Sequence, residues 1–218
     1  MKYKYILFDL DGTVTQSAQG IRASLEYALS QLKVQPPDLD DYTLYIGPPL
    51  IDTFLNLCGL GIEEAEQGAQ LYRDFYNSNG KYMNKVYEGI PEVLEKLKGM
   101  GAKLAVCTSK YEKFAEEIIK ILNLENSFEA VCGSNLDGSR KDKRDLIPYA
   151  VETLGGSFEA DREKTVMLGD TWFDAQGARL CNVDFIGVKY GYGSIEAMQH
   201  QGACAFAETP GELLTLLS

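Results

Sequence analysis

Five short apolar runs, Ile6–Leu10, Lys103–Thr108, Ala130–Cys132, Thr165–Gly169 and Phe185–Val188, punctuate the chain at wide intervals. A strand with one wet face alternates apolar and polar residues. A strand covered on both faces by helices is apolar throughout. Most of these runs are of the second kind, and the segments between several of them carry helical periodicity. Pro91–Lys98 places Val93, Leu94 and Leu97 on one face and stops at Gly99-Met100-Gly101. Glu112–Leu122 repeats Phe114, Ile118 and Leu122, and Lys143–Leu154 carries Leu146, Ile147, Ala150 and Leu154 before Gly155-Gly156. Pro148 suits a helix only in its first turn, which argues against a start as early as Lys143. The alternation predicts a Rossmann-like, doubly wound α/β fold built on a parallel sheet.

One stretch breaks the alternation. Between Gln16 and Lys85 the periodicity is helical only. Ile21, Leu25, Ala28, Leu29 and Leu32 form a stripe ending at Pro36-Pro37; Leu50, Phe54 and Leu57 form a second; Ala65, Ala69, Tyr72 and Tyr76 form a third. These residues, 16–85, read as a helical cap inserted into a core made of residues 1–15 and 86–218. Thr15–Ser17 and Asn84–Gly89 are then the hinges.

The formal net charge of -11 over 218 residues argues against a nucleic-acid polymer as partner, because phosphate backbones need clustered Lys and Arg. No apolar run approaches membrane-spanning length, and no signal-peptide segment opens the chain. The five cysteines include no C-x-x-C pair, which suits reduced thiols in the cytoplasm. A monomer and a homodimer are both compatible with the sequence.

The chemistry starts at Phe8-Asp9-Leu10-Asp11-Gly12-Thr13, at the end of the first apolar run. Side chains two apart in a strand point the same way, so Asp9 and Asp11 face one direction, and Gly12 permits a sharp turn after them. Two such carboxylates are costly to hold together unless a cation or a proton separates them. The pair suits a Mg2+ site with one ionised and one protonated acid. Three further polar clusters can join it along one sheet edge. They are Thr108-Ser109-Lys110, the basic stretch Arg140-Lys141-Asp142-Lys143-Arg144, and Gly169-Asp170-Thr171-Trp172-Phe173-Asp174.

In that order the four clusters resemble the motifs of the haloacid dehalogenase-like superfamily, in its phosphoglycolate phosphatase-like and 5'-nucleotidase-like branch. The resemblance includes Tyr87-Glu88-Gly89 and Gly191-Tyr192-Gly193 and spans essentially the whole chain. It implies a phosphatase that acts on a small soluble phosphate ester through an aspartyl-phosphate. Asp9 would be the nucleophile; Asp11 would protonate the leaving oxygen and then deprotonate water. Thr108 would bind a phosphoryl oxygen, helped by the backbone around Ser109, Gly12 and Thr13. Lys143 would balance charge, although Lys141 is close, and the Lys-Pro common at this motif is absent. Mg2+ would be held by Asp9, Asp170 and the Asp11 carbonyl, with Asp174 orienting a bound water or Lys143. Ionised Asp9, Asp170 and Asp174 against Mg2+ and Lys143 sum to about zero, so an acidic protein could still accept a phosphate dianion.

The presence of Asp11 disfavours dehalogenase and phosphonate-cleaving relatives, which lack this second acid. A cap segment Gln16–Arg22 without histidine disfavours a sugar phosphomutase. Pyrophosphate hydrolysis, a sugar phosphomutase and a non-catalytic binding domain are the alternatives. Among neighbouring residues, Gly47 in Ile46-Gly47-Pro48-Pro49 is either a turn into a helix or a cap loop on the substrate. Trp172 is expected to pack at the cap–core seam, Arg140 to be solvated, and His200 to sit on a surface helix.

Overall fold

The computed structural model of the chain describes residues 2–137 and 139–218. Eight strands and ten α-helices run through the described residues in the order β1 (Tyr5–Phe8), β2 (Thr15–Gln16), α1 (Ala18–Leu32), α2 (Leu50–Asp52), α3 (Ile62–Ser78), β3 (Lys85–Val86), α4 (Ile90–Gly99), β4 (Lys103–Tyr111), α5 (Glu112–Ile121), β5 (Ala130–Ser134), α6 (Lys143–Thr153), α7 (Phe158–Asp161), β6 (Thr165–Gly169), α8 (Trp172–Cys181), β7 (Asp184–Val188), α9 (Ile195–His200), β8 (Phe206–Ala207) and α10 (Leu213–Leu216). Six strands form one sheet in the order β5-β4-β1-β6-β7-β8, with every neighbouring pair parallel. This is the doubly wound α/β core that the apolar runs predict.

The central strand shows why its sequence is apolar throughout. Tyr5 and Leu7 pack with Leu146, Ile147 and Ala150 of α6. Ile6 and Phe8, pointing the other way, join Leu94 and Leu97 of α4 and Ile118 of α5. All four β1 side chains are fully buried, and each contributes about 1.5–3 kcal/mol of burial.

Four features differ from the sequence reading. The edge strand β8 has two residues, too few to show a period. The stretch expected to be purely helical begins and ends in strand, because Thr15 pairs with Val86 and Gln16 with Lys85 in an antiparallel ribbon. The helix after α2 continues through a wider turn at Thr53–Leu57. Finally, α6 does start at Lys143, so Pro148 lies inside the helix. Proline there cannot donate to the Arg144 carbonyl four residues back. The Cys181 thiol of α8 donates to that carbonyl instead, at 3.4 Å. A neighbouring helix thus satisfies the acceptor that the proline leaves free.

Candidate active site

The carboxyl ends of β1, β4 and β6 lie side by side; one polar cluster follows β1, one follows β6, and Thr108-Ser109-Lys110 forms the last part of β4. The fourth sits at the N-terminus of α6, packed beside α8. Asp9, Asp11, Thr108, Ser109, Lys143, Asp174 and Gly47 all line one cavity of about 570 Å3. Loop clusters at the carboxyl edge of a parallel sheet are where such folds bind ligands.

Lys143 is the hub. Its Nζ lies 2.6 Å from Asp9 Oδ1 and 2.6 Å from Asp174 Oδ1, and donates to the Cys107 carbonyl at 2.6 Å. The side chain is only 4% exposed. Burial alone would discharge an ammonium, but Asp174 and Asp9 outweigh it and hold Lys143 above its ordinary value. The neighbouring Lys141 is exposed at the cavity rim.

Asp174 opens α8 with a reciprocal cap. Its Oδ2 accepts from the Thr171 amide at 3.1 Å and from the Thr171 hydroxyl at 2.7 Å. One side chain therefore ends the helix and orients Lys143. Thr108 is buried within β4; its Oγ1 accepts from the Lys110 amide at 3.2 Å, and α5 begins only at Glu112. It does not cap that helix.

Asp170 is fully buried behind Asp9. Thr13 Oγ1 donates to its Oδ1 at 3.3 Å, and the Tyr192 amide donates to its Oδ2 at 2.7 Å. Gly12 has φ +84°, and a Cβ there would come within 2.1 Å of Asp170 Oδ2. Gly12 and Thr13, expected at the phosphate, are thus placed against Asp170 instead, and neither lines the cavity. The reason is the sharp turn after Asp11, which carries the chain away from the opening.

Arg140 is half-buried and partnered rather than free in solvent. It pairs with Glu112 at 3.4 Å, donates to Asn135 at 2.6 Å and lies over the Tyr149 ring at 4.0 Å. Trp172 stacks on Phe173 with ring centroids 3.7 Å apart and does not line the cavity. His200 ends α9 with an exposed side chain.

Two contributors appear in the sequence motifs without a role assigned to them. Gly191-Tyr192-Gly193 wraps Asp170, since a Cβ at Gly191 would come within 2.3 Å of the Asp170 Cβ. Lys110 reaches Asp11, with Nζ 3.0 Å from Oδ2. A lysine directly after a strand-Thr-Ser is the one signal that pointed at Lys110.

A family model described as haloacid dehalogenase-like hydrolase matches residues 6–188. The chain belongs to this family. It is 40% identical over 202 residues to a 5'-nucleotidase of Pseudomonas aeruginosa, covering 92% of this chain and 90% of that one. It is 39% identical over 188 residues to the tyrosine-protein kinase PtkA of Mycobacterium tuberculosis, which covers 86% of this chain but 62% of that protein. The crystal structure of a "predicted phosphatase" from Clostridium acetobutylicum superposes with a TM-score of 0.92 at 38% identity, covering 100% and 99% of the two chains.

As a haloacid dehalogenase-like hydrolase, the chain implies a divalent cation, and its donor set fits one. Asp9, Asp170 and Asp174 each present a carboxylate oxygen, all within 4.8 Å of one another and all buried. One ammonium faces three carboxylates there. Burial pushes the Asp9 carboxyl up to about 7 against the pull of Lys143, with Asp174 and Asp11 adding to the push. Burial, Asp174 and Asp9 likewise raise Asp170 well above the usual carboxylate range, while the Tyr192 amide opposes them. Hard oxygen donors with excess negative charge are what Mg2+ selects. Asp9, Asp170 and Asp174 are the carboxylates that could hold such an ion, and Asp174 also pairs with Lys143 and accepts from Thr171. Among the described residues no helix is long and apolar enough to cross a membrane.

Proposed function

We propose that this hydrolase is a Mg2+-dependent phosphomonoesterase that forms an aspartyl-phosphate on Asp9 and cleaves esters of nucleoside size. The observation that carries the reading is the Asp9–Lys143–Asp174 chain in a large cavity that Asp11 and Thr108 also line. Residues 16–85 act as a cap over the core formed by 1–15 and 86–218.

Each residue's part follows from its contacts. Lys143 holds Asp9 Oδ1, so Oδ2 would attack phosphorus, and a carboxylate nucleophile needs no activating base. Thr108 Oγ1 already accepts from the Lys110 amide, so its proton is free to be donated to a phosphoryl oxygen. Lys143 would also offset the charge gathering on the transferring group. Asp11 would give a proton to the departing oxygen, then take one from the water that hydrolyses the intermediate. Asp9, Asp170 and the Asp11 carbonyl would hold Mg2+, which supplies charge neutralisation when bound.

Cavity size favours the substrate class. About 570 Å3 is within the range of drug-sized ligand sites, far larger than a two-carbon acid needs. Its walls carry Tyr45, Tyr72, Tyr111, Phe114, Leu50 and Ile51, which suit a flat, partly apolar leaving group.

Phosphate release across a panel of monoesters, with Mg2+ and with EDTA, tests the reading. Nucleoside monophosphates should be cleaved faster than phosphoglycolate, and both EDTA and Asp9→Ala should reduce release to background. Release that survives both would end the mechanism. Transfer of phosphate to tyrosine without release would favour the activity named for the mycobacterial relative.

A further inference from the structure

Asp11 has one oxygen engaged and one not. Lys110 Nζ sits 3.0 Å from Oδ2, whereas Oδ1 is buried and has no hydrogen-bond partner among the described residues. The lysine is not a flexible surface cation. Its side chain is 9% exposed, and Nζ lies 4.5 Å from the centroid of the Tyr76 ring. That ring is itself fixed. It stacks on Tyr72 at 5.6 Å with an 8° tilt, meets Phe114 at 5.5 Å, and its hydroxyl accepts from Asn84 Nδ2 at 3.1 Å. At the other end, the Lys110 amide donates to Thr108 Oγ1. One residue thus spans the two polar groups placed to face the leaving side and the phosphoryl side of a substrate.

We propose that Lys110 is the positioning residue for Asp11, clamping Oδ2 so that Oδ1 is the oxygen that exchanges the proton. The proposal rests on the reading of Asp11 as general acid. In the first half-reaction an Asp9 oxygen donates an electron pair to phosphorus, and the ester P–O bond breaks with its pair going to the leaving oxygen. The proton on Asp11 Oδ1 moves to that oxygen, releasing the alcohol and leaving Asp11 as a carboxylate. The clamp serves both forms, because Oδ2 accepts from the ammonium whether or not Oδ1 carries a proton. An unclamped carboxyl would rotate about χ2 and spend part of its time with neither oxygen aimed at the ester.

The test is a ratio of kcat/KM values for two substrates, measured on the full chain with Mg2+. A nucleoside 5'-monophosphate has a poor alkoxide leaving group that needs a proton, whereas 4-nitrophenyl phosphate expels a phenolate that does not. The quantity kcat/KM includes steps only through P–O cleavage, so hydrolysis of the intermediate does not enter. The ratio also cancels any misfolded fraction of a variant. Asp11→Asn should lose about 100-fold on the alkyl ester and far less on the aryl ester. Lys110→Met should show the same discrimination at about tenfold or more, the scale of a misplaced catalytic group. Lys110→Arg, which keeps a donor on Oδ2, should recover most of it. If Lys110→Met lowers both substrates equally while Asp11→Asn discriminates, the clamp is refuted and Lys110 is a substrate-binding or structural cation. If Asp11→Asn fails to discriminate, the acid assignment falls and takes the clamp with it.

Discussion

Asp9 and Asp170 are held where a carboxylate is hardest to ionise, and that has a measurable cost. The folded Asp9 carboxyl sits near 7, raised by burial from an ordinary value of 3.8. Between those values the folded chain holds a proton there that the unfolded chain has released. Stability from this group therefore falls as pH rises across that window, the reverse of an ordinary salt-bridged aspartate. A cation that binds the ionised cluster should reverse the loss, and chiefly where the carboxylates have released their protons and repel one another. The rise in Tm on replacing EDTA with Mg2+ should accordingly be larger near pH 8 than near pH 5.5, where protons compete for the same oxygens. An equal rise at both, or a larger one in acid, would remove the cation from this cluster. At this scale the sequence was informative wherever chemistry demands a residue type at a strand end. Asp9, Asp11, Thr108, Lys143, Asp170 and Asp174 come together in the fold. Lys110 and Tyr192 were not legible as site residues, because each acts through a contact that only the folded chain creates.

Among the elements, α1 starts without a cap of its own. Ser17 makes no side-chain bond to the first turn. The Tyr192 hydroxyl, from the loop after β7, accepts from the Ser17 amide at 2.8 Å and the Ala18 amide at 3.1 Å. The same residue's backbone amide holds Asp170. Tyr192→Phe removes the first function and keeps the second. It should cost about 1 kcal/mol, the usual worth of an N-cap, in urea unfolding, while the Mg2+-induced rise in Tm stays unchanged. No loss of stability would mean that water replaces the hydroxyl at the helix end. The core strands and helices were legible because each presents an unbroken period over several residues. The β2–β3 ribbon and β8 have two residues each and show none. Pro148 misled on local grounds alone, since its remedy is a thiol on another helix.

At the scale of the whole molecule, the β2–β3 ribbon joins residues 16–85 to the rest of the chain, the boundary of the proposed cap. Beyond the Thr15–Val86 and Gln16–Lys85 pairs, the Tyr87 amide donates to the Val14 carbonyl at 3.1 Å. Other contacts between the two parts involve side chains. Lys81 pairs with Glu117 at 2.6 Å, Tyr42 packs edge-on against Tyr192 at 5.5 Å, and Gly47 comes up against Thr171. Such contacts can part and re-form while the two short strands absorb the rotation, which is how lids open without unfolding. Closure of residues 16–85 over the cavity would shield a bound ester from water. Orthovanadate with Mg2+ should therefore slow hydrogen exchange at the amides of residues 15–17 and 84–89, Tyr87 among them, relative to Mg2+ alone. The interiors of α4 and α6 should exchange as before, because they belong to the core on either side of the hinge. Unchanged exchange at the ribbon, with vanadate bound and turnover inhibited, would show a static cap. Substrate would then enter past Lys141 and the Asn135–Asp137 loop at the cavity rim.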